Sequence, residues 1–304
     1  MIKVAVLRGG PSVAYEDSLK TGGYILSLLK TLSKKYEPLD VFISRDGTWH
    51  YSGLAEDPHK ILSRADVAWN ALHGSYGESG GVQQLLSALQ IPFTGSGITA
   101  SILSHNKEMS EKAYHLYGLP AVRSRIISAD TPPDDLVAVF QTFLHPVIVK
   151  PGSGVRAMGV LLAYTFAELK EAIEKGLSMS ERVLVQEYVR GTVVSCPVLE
   201  RVKEEALYAF LPVHLETEMR RVRPSPEENR EIERLARLAH QSLGLRHYSS
   251  SDFIISPKGK IYLLETNSQP VFHEDSLLHQ SLRSSGWRPE DYVEHCLNLA
   301  MNKN

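Results

Sequence analysis

The chain opens on a short apolar run, Ile2–Leu7, of strand length, cut off by the turn Arg8-Gly9-Gly10-Pro11. From Glu16 to Leu32 the period changes, and Leu19, Ile25, Leu26, Leu28, Leu29 and Leu32 recur at helical spacing. Leu39–Ile43 reads as a second strand, with a turn at Asp46-Gly47, and Asp66–Leu72 as a third, followed by a glycine-rich loop over His73–Gly81 and a helix through Leu89. Strands alternating with helices predict a parallel sheet covered on both faces, in which ligands gather beyond the carboxyl ends of the strands. The loops at Gly9-Gly10 and His73-Gly74 both fall at such ends.

The pattern changes near Ala100. Helix (Lys107–Tyr117), strand (Val122–Ser128), helix (Pro133–Phe143), strand (Val147–Lys150), glycine loop, strand (Val160–Tyr164) and helix (Phe166–Lys175) predict a small α+β unit with a mobile loop. Three strand candidates follow at Val183–Val189, Val193–Leu199 and Ala206–Val213, then a long helix, Pro226–Leu243, with Ile232, Leu235, Leu238 and Leu243 as its buried stripe. Phe253–Ser256 and Ile261–Glu265, joined by Pro257-Lys258-Gly259-Lys260, form a hairpin signal, and two helices end the chain. The expected units are residues 1–99, 100–182 and 183–304.

Composition adds little beyond exclusions. A length of 304 residues with 43% hydrophobic and 22% charged positions describes a folded chain of two or three units rather than a disordered one. The balance of 33 basic against 35 acidic residues gives no reason to expect a nucleic-acid or anionic-membrane partner. The initial apolar run is too short and too soon broken for a signal peptide, and no stretch approaches the roughly 18 apolar residues of a membrane span. Cys196 and Cys296 have no metal or redox spacing and read as reduced, partly buried thiols of a cytoplasmic protein.

Four segments could carry chemistry. In the hairpin, Glu265 and Asn267 lie two apart on one strand and share a face, and pairing across the turn would bring Asp252 to them. Two carboxylates and an amide oxygen are hard ligands suited to Mg²⁺ or Mn²⁺, although a solvated strand end with incidental acids has the same sequence. Lys150 closes an apolar strand before Gly152-Ser153-Gly154, a loop whose backbone N–H groups could approach phosphate; it lacks the P-loop spacing, and alone it also describes a surface hairpin. Gly9-Gly10-Pro11-Ser12 with Glu16, and Ala71-Leu72-His73-Gly74 with Gly77-Glu78, are each common strand-to-helix turns, where an acid at a helix start is often structural.

In order and over nearly the whole chain, these segments resemble the D-alanine–D-alanine ligase family, of ATP-grasp architecture: a Rossmann-like parallel α/β unit, a small central lid and a C-terminal antiparallel-sheet α+β unit. The resemblance rests on the Gly9–Leu19 turn, on Ala71–Glu78 with Gly81-Val82-Gln83, on Thr94-Gly95-Ser96-Gly97 with Asn106-Lys107, and on Val149-Lys150-Pro151. It extends through Val183–Val189 and Leu264-Glu265-Thr266-Asn267-Ser268-Gln269-Pro270 with Ser276-Leu277. It implies ATP-dependent joining of two D-alanines, or close analogues, through an acyl phosphate for peptidoglycan precursor synthesis. ATP would be held by Lys107, Lys150, Gly152, Ser153, Gly154 and the hinge Gln186, Glu187, Tyr188 and Val189. The metal would lie on Asp252, Glu265 and Asn267. Glu16 would bind the first ammonium with His73 nearby, Ser276 and Leu277 the second carboxylate, and a homodimer would be common.

The same resemblance exposes departures. Ser250 stands where the family has an arginine that stabilises the tetrahedral intermediate. Arg156 replaces a loop serine bonded to the catalytic glutamate, Val271 a glycine near the oxyanion, and Val193 a ribose-binding glutamate, while the loop spanning Val213–Pro224 is short. Arg156, Arg220, Arg221, Arg223 or Arg246 could restore the positive charge; Arg220–Arg223 also reads as a solvated run. A ligase of another amino-acid pair, or a nucleotide-binding relative with little ligase activity, fits the same departures. Met158 reads as packing; His214, His247 and His273 have no assignment.

Overall fold

A computed structural model describes residues 1–152, 159–214 and 224–302. The first sheet follows from β1 (Ile2–Gly9), α1 (Tyr15–Thr31), β2 (Tyr36–Ile43), β3 (Trp49–Tyr51), β4 (Leu54–Ala55), α2 (Pro58–Leu62) and β5 (Val67–Asn70), in strand order β4-β3-β2-β1-β5. β1 pairs in parallel with both β2 and β5. Val4–Leu7 are fully buried, as a central parallel strand covered on both faces requires. The strand ends at Gly9, whose φ of 92° and whose approach to the Ile43 carbonyl leave a Cβ only 2.1 Å from that oxygen. Glycine there bends the chain straight into α1. The β3–β4 hairpin was not expected from the sequence, because its strands are too short to show a period.

Beyond β5, the stretch expected to be loop contains a turn of helix, α3 (Ser75–Glu78), followed by α4 (Gly81–Ala88) and α5 (Ile98–His105). α5 had escaped the sequence reading.

α6 (Lys107–Leu116), β6 (Ser124–Ser128), α7 (Pro133–Thr142), β7 (Val147–Pro151), β8 (Leu161–Ala163), α8 (Phe166–Leu177) and β9 (Arg182–Glu187) build a second sheet, ordered β6-β9-β7-β8 and antiparallel throughout. This corrects the expected boundary after residue 182. β9 pairs with β6 and β7, so the strand assigned to the C-terminal unit belongs to the central sheet. Its alternating side chains, Val183 and Val185, are buried under α8.

The third sheet comprises β10 (Thr192–Val202), β11 (Glu205–Ala209), β12 (Val213–His214), and, after α9 (Pro226–Ser242), β13 (Tyr248–Ile255) and β14 (Ile261–Asn267). The single strand expected over Ala206–Val213 is two, because the Phe210 amide turns to the Pro197 carbonyl between them. α9 starts on a capping box in which Ser225 and Glu228 cap each other's backbone, with Pro226 in the first turn. Its buried stripe runs through Ile232, Leu235, Ala236, Ala239 and His240, while Leu238 is only partly covered. α10 (Leu277–Ser284) and α11 (Pro289–Met301) return to the first sheet, where Tyr292, Val293 and Leu297 join Val4, Ile25 and Trp69 in one core. Cys196 and Cys296 are free and wholly buried, more so than expected. Among the described residues no helix is long and apolar enough to cross a membrane.

Candidate functional site

Pairing of β13 with β14 places Asp252 opposite Glu265 and Ser250 opposite Asn267, so all four occupy one face of the hairpin. The register slips by a bulge immediately after Asp252. One step along β13 matches two along β14, so Leu264 is the extra residue and lines the cleft beside Glu265, while Phe253 and Leu263 turn into the core. β10 adds Ser195, paired with Asp252 in register. The Ser195 hydroxyl donates to Asp252 Oδ1 at 2.6 Å and lies 2.9 Å from Ser250 Oγ. Ser195 was missed in the sequence; its only signal was a hydroxyl inside the apolar run Val193–Leu199.

This face forms the floor of a cleft of about 570 Å³, within the ordinary range for small-molecule sites. Its walls include Lys150, Val160, Val193 and Leu264 and, toward the far end, Val271, His273, Asp275, Ser276 and Leu277. Ser276 caps α10, accepting the His279 amide at 3.2 Å, so the positive end of the helix dipole opens on the cleft. His273 Nδ1 accepts the Asp275 amide at 3.2 Å, which fixes any ring proton on Nε2 in the neutral form.

The lysines arrive from the central unit. Lys107 opens α6 after the Asn106 cap, its amide donating to the Gly152 carbonyl at 3.1 Å and its ammonium 3.9 Å from Glu265 Oε2. Lys150 lies on β7, where burial pushes its ammonium below the ordinary lysine value; Glu265 opposes that fall and Lys107 adds to it. Four residues after Lys107, one helical turn along the same face, Glu111 sits in the same recess. Burial raises its carboxyl, against a hydrogen bond from Ser124 and the charge of Lys150. The sequence reading missed Glu111 because an isolated acid on a helix usually faces water.

The hinge segment lies at the end of β9. Gln186 is buried, Glu187 pairs with Arg123 at 3.4 Å, Val189 is half-buried and Tyr188 exposed. Gly152 donates to the Arg182 carbonyl at 2.8 Å, while Ser153, Gly154, Arg156 and Met158 lie outside the described residues, as do Arg220, Arg221 and Arg223.

Glu16 and His73 are placed differently. Glu16 sits in the first turn of α1 with 70% of its side chain exposed, paired with Arg45 at 2.9 Å, and it does not line the cleft. His73 is buried, with Nε2 2.9 Å from Thr21 Oγ1 and Nδ1 3.9 Å from Glu78. Glu78 in turn accepts the Gly74 amide at 2.7 Å and lies 3.9 Å from His105. Gly77 supports this turn, since a Cβ on it would come within 2.1 Å of the Leu72 carbonyl oxygen. Arg246 stacks on Phe93 at 5.9 Å, away from the cleft lining, and His214 forms part of β12.

The donor set suits a hard divalent cation bound together with phosphate. Asp252 and Glu265 offer carboxylate oxygens and Asn267 an amide oxygen on one face, and such a cation takes one or two carboxylates with the remaining positions left to phosphate and water. Among the described residues no group of three or more His, Cys, Asp or Glu gathers into a metal cage, so the Asp252–Glu265 pair would depend on Asn267 and on ligand oxygens. Two lysines beside those acids match polyphosphate charge.

Residues 116–298 match the family model described as D-ala D-ala ligase C-terminus. The chain is 31% identical over 314 residues to the D-alanine–D-alanine ligase of Geotalea uraniireducens, an alignment covering 99% of this chain and 96% of that protein. Among solved structures it resembles the D-alanine–D-alanine ligase from Coxiella burnetii, with TM-score 0.88, 22% identity and coverage of 99% and 94% of the two chains. It also resembles the VanG D-Ala:D-Ser ligase from Enterococcus faecalis, with TM-score 0.86, 22% identity and coverage of 98% and 99%. At such identities these two likenesses carry the fold alone.

Proposed function

Because the chain belongs to the D-alanine–D-alanine ligase family, we propose that it is a cytoplasmic ATP-dependent ligase joining two D-alanines, or close analogues, for peptidoglycan precursors. Asp252 facing Glu265 across the hairpin beside two converging lysines is the observation that carries this reading. A carboxylate oxygen of the first amino acid attacks the γ-phosphorus of ATP, the β–γ bridging bond breaks and ADP leaves. The amine of the second attacks the acyl carbon, its excess proton is lost and inorganic phosphate departs. Lys107 and Lys150 hold the phosphates through this exchange, which relies on positioning and charge rather than on covalent chemistry from the protein. Asp252, Glu265 and Asn267 would hold Mg²⁺ or Mn²⁺, which would offset charge on the transferring phosphoryl group. Ser195 orients Asp252 from below. Ser276 and Leu277, at the helix dipole, receive the second carboxylate, and Glu16 with His73 belongs to the first amino acid. Gly152 with Ser153 and Gly154, and the hinge Gln186–Val189, complete the nucleotide site, and a homodimer is part of the same reading.

A second reading, a ligase for a different acceptor, draws on one observation. Among the described residues the cleft wall carries Ser250, Val271 and Asp275 but no arginine. ADP and phosphate release from the purified protein with ATP and Mg²⁺, with and without D-alanine, tests both. Strong stimulation by D-alanine supports the first reading. Release stimulated by another amino acid but not by D-alanine supports the second, and ATP binding without amino-acid-dependent release overturns ligation.

A further inference from the structure

We propose that Val193 makes this site indifferent to the sugar hydroxyls of its nucleotide, so that ATP and its deoxy analogues are used alike; the inference rests on the ATP-dependent reading above. β10 runs from the end of the hinge toward Asp252, and its alternation decides what the sugar meets. Val194 and Cys196 point into the core beneath α9, whereas Val193 and Ser195 line the cleft. Ser195 pairs in register with Asp252 and Val193 with Ile254. Two residues along a strand span about 6.6 Å, so Val193 stands that far along β10 from Ser195, on the hinge side.

A nucleotide with its phosphates at Lys150, Asp252 and Glu265 and its base at the end of β9 must lay its sugar between them, over Val193. Val160 and Leu264 line the same cleft, adding apolar surface. Several polar side chains of the wall are committed elsewhere. Ser195 donates to Asp252, Ser250 bonds Ser195, and His273, Asp275 and Ser276 stand past the acids at the α10 end. The cleft-lining side chains that offer neither donor nor acceptor include Val160, Val193 and Leu264.

The energetics give the expected size. A site built to hydrogen-bond a hydroxyl rejects an analogue lacking it by orders of magnitude, because its own polar group is stranded; an apolar wall discriminates weakly. Calorimetric titration of the full chain with ATP, 2′-deoxy-ATP and 2′,3′-dideoxy-ATP, with Mg²⁺, should give dissociation constants within about threefold of one another. ADP release should show the same ratio in kcat/KM. Val193→Gln and Val193→Glu should each introduce a preference for ATP of about tenfold or more, with the thermal midpoint held as the check on folding. A wild-type preference for ATP over the dideoxy analogue above tenfold overturns the inference while leaving the ligase reading intact. Failure of all three nucleotides to bind overturns both.

Discussion

On the β13–β14 hairpin, Asp252, Glu265 and Asn267 stand on paired strands, opposed in register and braced by Ser195. On the turn between β1 and α1, Glu16 projects from a first helical turn into water and rests on Arg45, itself 62% exposed and stacked 4.0 Å over Tyr15. Both segments carry acids with an expected role, the hairpin pair as metal ligands and Glu16 as partner of the first ammonium. One set is held by backbone pairing, which leaves little freedom to lose when a ligand arrives. The other is held by a surface ion pair worth at most about 1 kcal/mol, so ligand competes with Arg45 on nearly even terms. The hairpin acids are thus preorganised by the sheet, whereas Glu16, outside the cleft lining, would have to leave Arg45 before it could serve a ligand.

The comparison breaks most decisively at Glu265. Glu265→Gln keeps shape and removes charge, and it should lower the turnover number for ADP release by 10²–10³-fold, as loss of a preorganised charge does elsewhere. A variant within a few-fold of wild type would show the hairpin to be scaffold only.

The next effect concerns the joint between the two halves. Buried His247 accepts the Gly95 amide on Nδ1 at 3.0 Å, and its own amide reaches Glu200 at 2.8 Å. Burial, chiefly, and Arg246 push its ring down to about 4, against a pull from Glu200. The folded chain therefore holds the ring neutral where the unfolded chain, titrating near 6.5, takes up a proton. Stability from this group is present above about pH 6.5 and is lost as pH falls toward 4, by up to about 3 kcal/mol. Chemical denaturation between pH 7 and 4 should show a shallower pH slope in His247→Gln than in the wild type; equal slopes would remove His247 from the joint.

The smallest expected effect sharpens the contrast. Glu16→Gln should raise KM for the first amino acid about tenfold and leave nucleotide affinity unchanged, whereas Arg45→Ala should lower that KM slightly. If neither KM moves, Glu16 is a surface acid.

What the sequence made legible follows the same division. The hairpin acids could be placed because strand alternation and a turn signal determine which side chains share a face. Lys107 and Lys150 could be placed because they stand at the ends of periodic elements. Ser195 and Glu111 could not, since what marks them is a partner 57 or 13 residues away, Asp252 for one and Ser124 for the other. β9 was set in the wrong unit because an apolar strand fits either sheet, and only pairing with β6 and β7 decides. Glu16 was legible as a residue and not as a geometry, because a helix start says nothing of a cation 29 positions on.

The packing of α11 against α1 and β1 has a bearing on synthesis. Tyr292, Val293 and Leu297 complete the apolar layer begun by Val4 and Ile25. A ribosome delivers the first sheet long before it delivers this cover, so the nascent chain carries an open greasy face through most of its elongation. Chaperone dependence during translation should therefore track the interval before residue 292 emerges, and β1 with α1 is sealed only once α11 arrives.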